Sequence, residues 1–140
     1  MADRCLQCGA TYTDPDDACR ARFDVLLALD HSRREPWGSR HGAAFAVFTL
    51  QHPAEFPEAS QAQALELLTR VYRGGEPLAA VVRELWDRNS GARRVAEPPI
   101  AAVAEFAVTI ADLGDFDAGS YPEQLDAWCR ATLDRLAPKP

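Results

Sequence analysis

A chain of 140 residues with 47% apolar side chains can bury one core, and it contains no run of about 18 apolar residues, which excludes a membrane-spanning helix. The formal net charge of −6 repels phosphate backbones unless basic residues cluster. The densest cluster is only Arg33, Arg34 and Arg40 in one loop, so nucleic-acid binding starts from a weak position.

Residues 1–13 hold few apolar groups and cannot by themselves offset the entropy of being ordered. Asp14-Pro15 then opens a helix, with Asp14 as its cap, that runs to about His31. Cys19, Phe23, Leu26, Leu27 and Asp30 share one face of it. Ser32 to Ser39, with Pro36 and Gly38, is a loop. A second helix from about Arg40 to Gln51 is apolar on nearly every side, which predicts a central, surrounded position, and Pro53 stops it. Ser60-Gln-Ala-Gln63 reads as a capping box opening a third helix to about Arg73, with Leu65, Leu68, Val71 and Tyr72 buried. A fourth runs from Pro77 to Asn89 with Leu78, Val81, Val82, Leu85 and Trp86 facing inward. Residues 90–108 are a short helix or an extended crossing. Thr109 to Asp112 caps a helical turn, and Ser120 to Glu123 is a second capping box before the last helix, whose inner face is Leu125, Trp128, Cys129, Thr132 and Leu136. The expected class is all-α: about five helices in a single zinc-stabilised domain over residues 1–140, with a knuckle at 1–13 packed on the first helical hairpin of a bundle at 14–140.

Three of the four cysteines, Cys5, Cys8 and Cys19, crowd the N-terminus. Met1 to Cys5 shows no apolar stretch behind a basic one, the mark of a secretory signal, so a cytoplasmic chain with reduced thiols is expected, where such clustering points to metal. Cys5-Leu-Gln-Cys8-Gly9 has the spacing of a zinc knuckle: two thiolates reach one ion, and the glycine lets the chain fold back. A thioredoxin-like redox pair shares C-x-x-C but follows a strand, and no strand pattern precedes this one.

Geometry chooses the fourth ligand. Two helices joined by a short loop pack antiparallel, so the start of the first, at Cys19, lies beside the end of the second, at His52. His41, about 16 Å further along the axis, falls at the other end beside His31. Cys5, Cys8, Cys19 and His52 are therefore the predicted ligands of one Zn2+. Cys129 remains a rival ligand, although a cysteine on an inner helix face is more often plain packing.

A second cluster, His31, Arg33, Arg34, Trp37, Arg40 and His41, offers cationic, aromatic and titratable groups in one loop. It is a candidate ligand-binding site: arginines fork onto carboxylate or phosphate, and Trp37 supplies an apolar wall. The plainer reading is that Trp37 caps the core and the arginines are solvated. No Ser-His-Asp, P-loop, H-E-x-x-H or dinucleotide glycine pattern occurs.

The run Cys5-x-x-Cys8-Gly9, Cys19, His41 and Gln51-His52-Pro53, with the Thr109-x-Ala-Asp112 turn and Trp128, resembles a bacterial domain-of-unknown-function family, the one numbered fifty-nine forty-six. The chain departs from that pattern at Arg20, where the family carries an aromatic, and at Leu133, where it carries a second tryptophan. The resemblance implies zinc binding and transfers no activity. Three functions remain open: a zinc-stabilised module binding a partner protein or small ligand, a small zinc- or histidine-dependent enzyme, and a weak nucleic-acid binder.

Overall fold

The computed structural model describes residues 3–12, 18–91 and 105–137. In chain order the elements are β1 (Asp3–Arg4), β2 (Thr11–Tyr12), α1 (Cys19–His31), α2 (His41–Gln51), α3 (Glu58–Tyr72), α4 (Leu78–Gly91) and α5 (Tyr121–Leu136). Short 3-10 turns at Gly38–Arg40, Pro53–Glu55 and Ile110–Leu113 join them. The described residues are thus all-α apart from one antiparallel ribbon of two-residue strands. The expected Asp14-Pro15 cap and most of the uncertain 90–108 stretch lie outside the described residues.

The core forms around α2. Ala43, Ala44, Ala46, Val47, Phe48 and Leu50 are all buried, as a helix apolar on nearly every side demands. Phe45 is the exception and stays partly exposed. α2 packs chiefly on α3 and α5, and Phe23 of α1 stacks on Phe48, ring centroids 3.9 Å apart. The hairpin is antiparallel as expected: Cys19 meets His52 at one end, and the rings of His31 and His41 lie 5.2 Å apart at the other.

Four sequence expectations need correction. α3 opens at Glu58 behind an extended Pro57, so Ser60 is already inside the helix and the Ser60–Gln63 capping box does not form. Proline's fixed φ and missing N–H suit the residue at a helix entrance, and Glu58 meets the positive end of the dipole. The buried side of α3 is Gln61, Ala64, Leu67 and Leu68, with Leu65, Val71 and Tyr72 only partly covered. Ser120 does precede α5, but its side chain caps nothing: the N–H of Tyr121 donates instead to the carbonyl of Asp117 at 2.8 Å, because a turn already leads into the helix. Trp86 is 72% exposed. On α4 the buried pair is Val81 and Leu85, and Trp86 sits one residue, about 100° of rotation, beyond it. The Thr109 capping box does form: Thr109 N–H donates to Asp112 Oδ2 at 2.8 Å, and Ala111 N–H donates to the Thr109 hydroxyl.

Candidate metal centre

The ribbon exists to present two thiols. β1 and β2 pair in the register Asp3 with Tyr12 and Arg4 with Thr11, and the six residues between them close on two backbone bonds. Cys5 N–H donates to Ala10 O at 2.7 Å, and Gly9 N–H donates to Cys5 O at 2.9 Å. Gly9 takes φ 87°, open to glycine at little cost, and this reversal turns Cys8 fully inward while Leu6 stays outside. A strand therefore does precede the C-x-x-C pair. Two residues are too short for alternation to register in the sequence.

Cys19, first residue of α1, and His52, first residue past α2, complete the cluster. The ligating atoms of Cys5, Cys8, Cys19 and His52 all lie within 4.8 Å of one another. Cys8 and Cys19 sulfurs are 3.5 Å apart. Around a tetrahedral ion with metal–sulfur bonds of about 2.3 Å, sulfurs stand about 3.8 Å apart, so the spacing fits. The four residues can hold a metal ion.

His52 is the most telling member. Its backbone leaves the helix at φ −131°, and its ring is buried against Phe48 at 4.0 Å between centroids. Nδ1 lies 2.9 Å from the Phe48 carbonyl, to which it donates, fixing the tautomer. Nε2, then an acceptor, is buried without a hydrogen-bond partner among the described residues. A buried acceptor without a partner costs roughly 1–3 kcal/mol, and an ion beside the three sulfurs would satisfy it.

The sulfurs are not electrostatically equal. Cys19 is held down to about 4, by the hydrogen bond from Cys8 first, against burial, with further help from Tyr12. Cys8 is pushed far up by its bond to Cys19 and by burial, so Cys19 is the first thiolate of the pair. Tyr12, which the sequence reading did not single out, puts its hydroxyl 2.9 Å from Cys19 Sγ. Burial and the neighbouring sulfur push that phenol up, which keeps it a donor. Its only sequence signal is an aromatic four residues past Cys8 in a polar stretch.

Other chain segments clamp the knuckle. Gln7 accepts from Ala54 N–H at 3.0 Å, just past His52 and Pro53. Phe106 N–H donates to Cys8 O at 3.1 Å, and Arg4 pairs with Glu105. Gln51, ahead of His52, is fully buried and donates to Val108 O at 2.8 Å and to the Thr132 hydroxyl at 3.0 Å. The Gln-His-Pro run thus ties α2 to α5, offers the imidazole and turns the chain away.

The remaining candidates lie elsewhere. Cys129 is in the core with its thiol 4.0 Å from Ala43 O, a packing role. The loop cluster is brought together only in part. Trp37 is buried and donates from Nε1 to Phe116 O at 2.8 Å. The Arg34 guanidinium lies 5.4 Å from the Trp37 ring centroid. Arg40 donates to Pro36 O at 2.9 Å and pairs with Glu35, and Arg33 takes φ 62° in an exposed turn. His31 and His41 are neighbours, but His41 is engaged: its Nδ1 is 2.9 Å from Asp30 Oδ2.

Among the described residues no helix is long and apolar enough to cross a membrane. A protein-family model described as "Family of unknown function (DUF5946)" matches residues 3–137. No curated protein and no solved structure matches the chain.

Proposed function

We propose, because the chain belongs to the DUF5946 family and that family carries no activity to transfer, a role read from its own residues: a zinc-stabilised helical module that binds a small ligand or a partner protein. Cys5, Cys8, Cys19 and His52 would hold one Zn2+. Three thiolates and an imidazole are the soft, four-donor set that zinc takes in closed sites, and a full protein shell leaves no position for water or substrate. The metal is then structural rather than catalytic, and it fastens a ribbon too small to fold alone onto the α1–α2 hairpin. The observation that carries this reading is the buried, unpartnered Nε2 of His52 beside three sulfurs. In this reading residues 1–140 act as one cytoplasmic domain, and nucleic acid is not its ligand.

The test is elemental analysis of the chain purified without added zinc. One equivalent of zinc is expected, and Cys8→Ser should lose both the metal and much of the folded state. Less than about half an equivalent of any metal would sink the proposal, since structural sites bind tightly.

A further inference from the structure

Apart from the metal centre, the described residues build a trough that the four candidate ligands do not line. Phe45, Ala46, Leu67, Val82, Leu85 and Trp86 line a trough of about 370 Å³ between α2, α3 and α4, and His41 stands in its wall. A second hollow of about 450 Å³ shares His41, Gly42, Val82 and Trp86 with it. Small-molecule sites have this size and this mostly apolar lining.

His41 is held at a cost. Asp30 sits in the last turn of α1, where helix carbonyls carry partial negative charge, and His41 is the first residue of α2, where N–H groups carry partial positive charge. Acid and base each occupy the end that the dipole disfavours. The Asp30 side chain is completely buried, and its Oδ1 has no partner among the described residues. A desolvated carboxylate with one partner is a poor way to pin a hairpin, since apolar packing of the same volume does it at lower cost. What the pair does achieve is orientation. Nδ1–H of His41 is committed to Asp30 at 2.9 Å, so in the neutral ring Nε2 is the acceptor that remains.

We propose that the trough between α2, α3 and α4 binds a small, largely apolar molecule carrying one hydroxyl, which donates its hydrogen bond to Nε2 of His41. The proposal deepens the ligand-binding part of the module reading and moves the site from the arginine loop to the trough, with His41 common to both. Aromatic walls at Phe45 and Trp86 favour a flat ring system, and the volume suits a bicycle rather than a peptide helix.

The experiment uses the full chain supplied with zinc and two probes of one shape, 2-naphthol and 2-methylnaphthalene, titrated by amide chemical-shift mapping. Expected are shifts along α2, α3 and α4, with 2-naphthol binding about tenfold tighter, the size of one well-made hydrogen bond. His41→Phe keeps an aromatic ring at the position and should bring the two probes within about twofold, a change that a merely structural histidine would not produce. The same bond is read without any variant from the side-chain 15N resonance of His41, whose Nε2 should move with 2-naphthol and not with the hydrocarbon. Equal affinity for the two probes, an unmoved Nε2, or shifts outside the three helices would each overturn the proposal. Zinc content measured on the same samples keeps the two readings apart. Selectivity in a chain that carries no metal would sink only the zinc reading, and a zinc-loaded chain without selectivity would sink only this one.

Discussion

The imidazole of His52 both stacks on Phe48, one helical turn before it, and donates to the Phe48 carbonyl at 2.9 Å. That double hold orients Nε2 before any ion arrives, so binding does not have to order the ring. His52→Ala should cost metal affinity by well over the 10- to 100-fold typical of losing an outer partner. It should also destabilise the fold by about 2–4 kcal/mol through the cavity it leaves. His52→Cys keeps four donors and should retain the metal. A competition titration with a chromophoric chelator measures all three chains, and an alanine variant that matches the parent would remove His52 from the site.

Tyr12→Phe removes only the hydroxyl that sits 2.9 Å from Cys19 Sγ. The ring still packs, so helical content should survive while metal affinity falls about tenfold, the lower end for a partner that tunes a ligand from outside. Unchanged affinity would mean that the phenol packs without donating.

Acid should unload the site. The Cys19 thiol is held down to about 4 in the folded chain, against an ordinary thiol value of 9.0. A depressed folded value gives stability that is present above the unfolded value and lost as pH falls toward the folded one. Metal binding works in the same direction, because protons compete for all three thiolates. The melting temperature of the zinc-loaded chain should therefore fall steadily from about pH 8 to about pH 5, with zinc released in parallel. A melting temperature that rises on acidification would contradict the assignment.

Much of this site was legible because it rests on helical periodicity and on one topological argument. A short loop after His31 makes the hairpin antiparallel, and an eleven-residue α2 then separates His41 from His52 by more than any coordination distance. Neither step needs tertiary detail. What escaped the sequence depends on contacts between distant segments or on very short elements. Tyr12 reaches Cys19 through a ribbon with two residues per strand. The bond between Asp30 and His41 follows only from the way the hairpin closes. The Ser60 and Ser120 boxes failed for a different reason. The pattern records a local preference, whereas Pro57 and the turn at Asp117 had already decided how the chain enters each helix.

Trp37 is tied into the fold. Its Nε1–H donates to Phe116 O at 2.8 Å, and Phe116 itself takes φ 58° in the turn before α5. Trp37→Phe should destabilise the chain by about 1–3 kcal/mol, since a buried carbonyl loses its donor, with no change in zinc content. Thermal melts beside elemental analysis check this, and loss of zinc in the variant would show that the two ends of the hairpin are not independent.

The order in which the knuckle is assembled also matters while the chain is being made. All four candidate ligands lie within the first 52 residues. The bond from Phe106 N–H to Cys8 O, by contrast, has to wait for a segment synthesised long afterwards. At translation rates of about 5–20 residues per second, an emerging nascent chain would have several seconds in which its thiols are gathered but not yet covered. In that interval the site is open to capture of its ion, and equally open to the wrong one.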